Sequence, residues 1–336
     1  MSVIENEFLP EVYVNKIKER YNDLKNKKVV ACLSGGVDST VAAALIKACG
    51  ADIRGVLINT GFLQSGEPES TIKTLAQAGF TVSEIDCSSH FFINQKNVST
   101  GAEKRAAFKE TYFHVLEQAL DEINAKYVIQ GTQVSQYTTA MNNVNANRAH
   151  NHLSHEMEKK YNWIEPVAGL SKEQIRKLSS YLKLPETITS RRPFPGPGLL
   201  LRFGGEYTAE KLRIIRLATR KIDDFLQSNS IPLENCWQMF PYLIGDEKVY
   251  YIDHNNQHST GVVLVIRAVR KESNANYIYY KPAILNEKSL EKLTDELMSI
   301  EGVARICFDL TIKKSSHNIA GEKEITYYPG GTIEYI

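Results

Sequence analysis

Apolar positions in the first 130 residues fall into two alternating rhythms. Val12, Val14, Ile17, Tyr21 and Leu24 recur at spacings close to a helical turn, which predicts an amphipathic helix over 11–26. Short apolar runs over 28–33, 53–59, 80–86 and 127–132 have the length and character of strands buried on both faces. Between them, helical patterns occupy 39–49, 67–78 and 111–124. Strand and helix in strict alternation predict an α/β fold, a doubly wound parallel sheet that binds ligands beyond the carboxyl ends of its strands.

The rhythm breaks over 133–161, a polar stretch rich in asparagine and histidine that is too long for an ordinary connector and reads as a lid. A helix follows over 171–182, with Ser171 and Gln174 spaced as a capping box. The string Arg191-Arg192-Pro193-Phe194-Pro195-Gly196-Pro197-Gly198 then stops regular structure. It divides the chain into a first domain, 1–190, and a second, 191–336. In the second, a helix over 208–227, strands over 249–252 and 261–269, a helix over 289–299 and a strand over 304–311 give a smaller α+β domain.

Composition narrows the function classes. Hydrophobic residues at 43% and charged residues at 24% are enough for a substantial core. A formal charge of +1 gives no reason to expect nucleic acid as a partner. Cys32, Cys49, Cys87, Cys236 and Cys307 are widely separated, so neither a metal cluster nor a redox pair is expected. The N-terminus has no leader-like pattern and no apolar run is long enough to span a bilayer; the expectation is a cytoplasmic protein with no membrane partner.

The strongest chemical signal is Ser34-Gly35-Gly36-Val37-Asp38-Ser39-Thr40, set between the first strand and the next helix. Adjacent glycines let backbone approach phosphate closely, and a helix start presents free N–H groups and partial positive charge. Ser34, Ser39 and Thr40 add hydroxyls, while Asp38 suits Mg²⁺ or a metal-bound water. The lysine-bearing loop of γ-phosphate-transferring enzymes is absent, and so is a dinucleotide G-x-G-x-x-G at this turn. A second strand ends in Gly131-Thr132, expected in the same crevice as the loop.

The S-G-G-V-D-S-T string resembles the signature of the PP-loop ATP pyrophosphatases, whose fold is adenine nucleotide alpha hydrolase-like. Arg192-Pro193-Phe194-Pro195-Gly196-Pro197-Gly198-Leu199 and Arg202 resemble the segment joining the two domains of GMP synthases. Tyr207 to Leu212, Trp237-Gln238, Arg267-Ala268-Val269 and Gly331 to Tyr335 extend that resemblance almost to the end of the chain. It implies an AMP-forming carbon–nitrogen ligase that uses ATP and Mg²⁺ to adenylate XMP, releases pyrophosphate, and aminates with ammonia to give GMP and AMP. Ser34, Asp38 and Ser39 are its implied catalytic residues; Gly35, Gly36, Val37, Thr40, Gly131 and Thr132 complete the ATP site, with Asp38 toward metal. Arg202, Gln238, Lys313, Ile333 and Glu334 are the implied acceptor contacts, and Glu103-Lys104-Arg105 is either a solvated helix face or a nucleotide contact. Also implied are a separate glutaminase subunit as the ammonia source, since no glutaminase part is expected in this chain, and a homodimer through the second domain.

Several positions depart from the family pattern. Gln64 stands where an arginine is usual, Gln136 where an aspartate is, and Asn147 where the lid has a lysine, beside Arg148 and the matching His150-Asn151. Extra residues also separate Lys313 from the terminal motif. The alternatives are a related AMP-forming ligase acting on another purine-like or carbonyl-containing metabolite, and a nucleotide-binding protein that has lost turnover.

Overall fold

The structure, a computed structural model, describes residues 8–131, 155–189, 194, 196–229, 231, 235–252, 256–273, 278–311 and 313–314. The chain forms two compact units. Unit 1 comprises Met1–Gly61, Gly66–Phe91 and Lys109–Arg191; unit 2 comprises Phe62–Ser65, Phe92–Phe108 and Arg192–Ile336.

Unit 1 opens with α1 (Pro10–Arg20), shorter than the predicted helix because a 3₁₀ turn at Asn22–Leu24 closes it. Strands β1 (Lys28–Cys32), β2 (Asp52–Asn59), β3 (Thr81–Asp86), β4 (Tyr127–Ile129) and β5 (Asn162–Ile164) form one parallel sheet in the order β3-β2-β1-β4-β5. The doubly wound architecture is therefore present as expected. Alternation along β1 sends Val29 and Ala31 into one core with Val14, Val41, Leu45 and Leu75, and Val30 into another with Leu116, Leu120, Val128 and Met157. Helices thus cover both faces: α1, α2 (Val37–Ala48) and α3 (Glu67–Gln77) line the first core, and α5 (Gly101–Glu122) and α6 (His155–Lys160) the second. α2 buries Val41, Ala42, Ala43, Ala44, Leu45 and Ile46 in succession, and its small side chains let it lie close on the sheet.

α4 (Ser88–Asn94) was not predicted, and α5 begins ten residues before the predicted start. The reason is chemical: Lys104 and Arg105 are buried, so the helix hides part of its inward face behind charged residues. Of the polar stretch read as a lid, 133–154 lies outside the described residues, with Gln136, Asn147, Arg148, His150 and Asn151 in it, and so does Thr132 just before it. Its tail is not irregular but forms α6, tied to α5 by Lys160 with Glu117 and Asp121 and by Tyr161 with Asp121. α7 (Lys172–Tyr181) has the predicted capping box, with both Ser171–Gln174 hydrogen bonds made, and α8 (Glu186–Thr189) follows.

In unit 2, a 3₁₀ turn (Gly198–Arg202) leads to α9 (Ala209–Ser228), capped by Thr208. The second sheet contains β6 (Gln238–Ile252), β7 (His258–Ser273), β8 (Ile278–Pro282), β9 (Val303–Phe308) and β10 (Lys313–Lys314), with α10 (Glu287–Met298) between β8 and β9. The strands run β10-β8-β7-β6 antiparallel, and β9 pairs with β7 in parallel. β6 starts eleven residues before the predicted strand; Pro241 and the register shift between Leu243 and Lys248, where Gly245 takes φ 54°, concealed its first part. Among the described residues no helix is long and apolar enough to cross a membrane.

Candidate functional site

The loop predicted from sequence is built at the carboxyl end of the central strand β1. Leu33 N–H donates to Val56 O, which holds the loop entrance on β2. Gly35 then takes φ 72°, a left-handed conformation that turns the chain, and Gly36 is the extended N-cap of α2. Gly36 brings no side-chain cap, so the first-turn amides of α2 are left for another acceptor. The hydroxyls of Ser39 and Thr40 both donate back to Gly36 O, at 3.2 and 2.9 Å, and Ser34 Oγ lies 3.4 Å from both Gly36 N and Ser39 Oγ. The loop is thereby held by its own side chains.

Gly131 continues β4 directly against this helix start. A Cβ there would stand 2.6 Å from Ser39 N and 2.8 Å from Ser39 Cα, so only glycine fits. The predicted meeting of the two glycine-bearing strand ends is present at Gly131, while Thr132 lies outside the described residues.

Asp38 is not open to solvent on all sides: Lys172 Nζ donates to both of its carboxylate oxygens, at 2.7 and 2.6 Å. Sequence reading missed Lys172. Its one local signal was position, since a lysine at the first residue of α7 opposes the helix dipole, which favours acidic residues there. Asp38 is the loop's one carboxylate, and among the described residues no group of three or more His, Cys, Asp or Glu could cage a metal. That donor set fits Mg²⁺ delivered with a triphosphate, because Mg²⁺ is commonly held by one or two carboxylates plus substrate phosphates.

Within unit 2, the Pro-Gly string does more than end regular structure. Gly198 has φ 63°, and a Cβ there would come within 2.4 Å of Phe62 O, the carbonyl that accepts from Leu199 N–H at 2.8 Å. Leu63 O accepts from Arg216 Nε at 3.0 Å, and Gln64 Nε2 donates to Asp223 at 3.0 Å. The loop leaving β2 is therefore pinned residue by residue. Phe62 is fully buried, edge-on to Phe92 and Tyr207, which stack on each other.

Glu103-Lys104-Arg105 does not form a solvated face. Glu103 accepts from Thr100 N–H and Oγ1, hydrogen bonds that hold its carboxyl below the ordinary range and cap the helix start. Lys104 is 1% exposed, donates to Phe203 O at 2.7 Å and sits 4.2 Å from the centre of the Phe203 ring.

Of the expected acceptor residues, Arg202 and Gln238 are both buried. The Arg202 guanidinium lies 3.6 Å from the centre of the Phe240 ring, and its Nη1 has no hydrogen-bond partner among the described residues. Burial pushes this group well below its ordinary value, to about 9, and Asp223 offsets only part of that. Directly across the strand pair from Phe240 is Arg267, so the two share a face of the sheet. Arg267 is ion-paired with Asp309; Arg267 is buried, and the Asp309 side chain is largely covered although the residue as a whole is half-buried. Lys313 enters the structure as the β10 residue opposite Tyr280. Ile333 and Glu334 lie outside the described residues.

A family model described as tRNA methyl transferase HUP domain matches residues 27–85, the stretch from just before β1 into β3 that contains the loop. Across nearly the whole chain the similarity is to another group. One subunit of the glutamine-hydrolyzing GMP synthase of Pyrococcus abyssi is 33% identical over 326 residues, 95% of this chain and 97% of that one. The corresponding GMP synthase subunits of Archaeoglobus fulgidus and Methanocaldococcus jannaschii are 31% and 30% identical, over 96% and 91% of this chain and 97% of each of theirs. The solved structure of NMN synthetase from Francisella tularensis is 19% identical with a TM-score of 0.45, over 66% of this chain and 87% of that one, a likeness too distant to bear on the chemistry.

Proposed function

This chain belongs to the family of those GMP synthase subunits, and on that premise we propose that it is an ATP-dependent ligase that adenylates XMP and aminates it to GMP. The observation that carries the proposal is the uncapped first turn of α2, fronted by Ser34, Ser39 and Thr40 and closed against Gly131. In the first step the xanthine C2 oxygen attacks the α-phosphorus of ATP; the new P–O bond forms as the α–β anhydride bond breaks, and pyrophosphate leaves. Ammonia then attacks C2, AMP departs with the bonding electron pair, and the surplus proton passes to solvent.

Loop amides of Gly36, Val37, Asp38 and Ser39 and the Ser34 and Ser39 hydroxyls hold the β-phosphate, so charge that builds on the leaving group meets donors already in place. Mg²⁺ would come with ATP as part of the substrate and supply charge neutralisation there, and Asp38 is the residue that would hold it. Lys172 stands beside Asp38 and adds positive charge at the same point. On the acceptor side, Arg202 offers a buried guanidinium nitrogen that has no acceptor among the described residues, Gln238 a buried amide, and Lys313, Ile333 and Glu334 the C-terminal contacts. The relatives are named as one subunit of a glutamine-hydrolyzing enzyme, which supports a separate glutaminase as the ammonia source. A homodimer through unit 2 belongs to the same proposal.

A different acceptor is the second reading, favoured by Gln64, whose amide is engaged by the Asp223 carboxylate at the position where the resemblance to the family pattern implies an arginine. Pyrophosphate release from Mg·ATP, with and without XMP and ammonium, separates the two. Equal yields of GMP, AMP and pyrophosphate, lost in Asp38→Ala, are expected. Release that depends on another acceptor replaces XMP in the reaction, and ATP binding without release under any condition leaves only a binding role.

A further inference from the structure

Asp38 lies in the first turn of α2, where a carboxylate complements the helix dipole. The group that reaches it comes from a second helix start. Lys172 is the first residue of α7, and its ammonium bonds both carboxylate oxygens of Asp38, at 2.7 and 2.6 Å. Its direction is fixed by packing and by the cap. Ile175 and Leu178 of α7 are buried in the same core as Val37, Val41 and Leu45 of α2, and the Ser171–Gln174 capping box sets the turn from which Lys172 leaves. Glu173, the next residue, pairs instead with Lys177 on its own helix.

A lysine in a first helical turn opposes the dipole, and an ion pair as wet as this one adds little to stability. Stability is therefore a weak reason for the arrangement, and the carboxylate it covers is a better one. Asp38 is the loop's one carboxylate, and the Ser39 and Thr40 hydroxyls donate to Gly36 O. A divalent ion on Asp38 would need an oxygen that Lys172 holds, so ion and ammonium compete for one group.

Charge decides that competition. The ammonium balances the carboxylate, and the starts of α2 and α7 each add roughly half a positive charge. A bare divalent cation thus meets surroundings that are already positive. The same cation carried on a triphosphate belongs to a net anion, which those surroundings attract.

We propose that Lys172 guards the metal-binding oxygens of Asp38 against free divalent ions and yields them only to a metal delivered on ATP, so that metal and nucleotide enter as one ligand. This rests on the reading that Asp38 contacts the metal of Mg·ATP.

The test uses the full chain, with Mn²⁺ as the probe and water proton relaxation as the readout, and neither acceptor nor ammonium present. Without nucleotide, Lys172→Met is expected to bind Mn²⁺ roughly tenfold more tightly than the wild type, the size of removing a unit charge a few ångströms from a divalent ion even in water. Lys172→Arg keeps the charge and should match the wild type. Adding Asp38→Asn to Lys172→Met should abolish the gain, which ties the ion to Asp38. Should Lys172→Met unfold, Lys172→Gln carries the same expectation. No gain on removing the lysine charge, an equal gain in Lys172→Arg, or a gain that survives Asp38→Asn would overturn the proposal. The underlying reading has its own control, because a ligand that binds the folded state raises the melting temperature. A wild type that Mn·ATP does not stabilise loses the nucleotide site itself, and the guarding role falls with it. Stabilisation by Mn·ATP beside no gain in Lys172→Met sinks the guarding role alone.

Discussion

The phosphate loop of unit 1 and the polar face of the second sheet in unit 2 are assembled in opposite ways. Seven consecutive residues, Ser34 to Thr40, form the loop, and the hydrogen bonds that tie its hydroxyls together span five positions or fewer. The second face draws Arg202, then Gln238 and Phe240 of β6, then Arg267 and Asp309, from four segments of the chain, with Arg267 and Asp309 42 positions apart. The loop is partly open and its charge pair is wet, Asp38 being 22% and Lys172 42% exposed. Arg267 and Asp309 are 3% and 7% exposed. A local, wet site can lose a side chain with little structural cost, while a distributed, dry one cannot separate function from folding so cleanly.

That contrast breaks most visibly at Asp38. Asp38→Ala is expected to cut pyrophosphate release by roughly 100-fold or more, the size of losing a preorganised electrostatic contact, with thermal unfolding hardly moved. Next in size is Arg267→Met, which strands the Asp309 carboxylate in a buried setting. A loss of about 3–5 kcal/mol is expected, read as a lowered denaturant midpoint. Lys172→Met should do far less to stability, no more than about 1 kcal/mol, since its pair is half in water. Similar stability losses for Arg267→Met and Lys172→Met would erase the distinction between the two regions.

Acid sharpens it further. Burial pushes the Asp309 carboxyl up, but bonds from Thr311 and the charge and hydrogen bond of Arg267 outweigh it and leave the group below its ordinary value of 3.8. A carboxyl lowered on folding contributes stability that is present above its unfolded value and is lost as pH falls through the folded one. The gap in melting temperature between the wild type and Asp309→Asn should therefore be widest near neutrality and shrink below pH 3.8. A gap that stays constant on acidification would remove Asp309 ionisation from the account.

How far each region was legible follows from the same difference. The parallel sheet and the loop could be read because strand periodicity, glycine spacing and helix start lie in one short window. Lys172 escaped because its partner is 134 positions away, and no local pattern joins the two. β8 and β10 escaped because each is short and rich in tyrosine or lysine, and β6 was found only at its far end because Pro241 and Gly245 interrupt the alternation. Lys104 looked like surface; its burial depends on Phe203, 99 positions later. Gly198 was recognisable as part of an unusual string, but the close approach to Phe62 O that requires it was not.

The patchwork membership of unit 2 also has a consequence for how the protein is made. Phe62–Ser65 and Phe92–Phe108 leave the ribosome well before Gly198, Leu199 and Phe203, the residues against which they settle. At a synthesis rate of about 5–20 residues per second, Lys104 waits roughly 5–20 seconds for the Phe203 carbonyl, and Phe62 waits longer. A nascent chain stalled before residue 198 carries a phenylalanine and a lysine whose native surroundings do not yet exist, so premature termination there should give a product that chaperones and proteases recognise, however complete its parallel sheet.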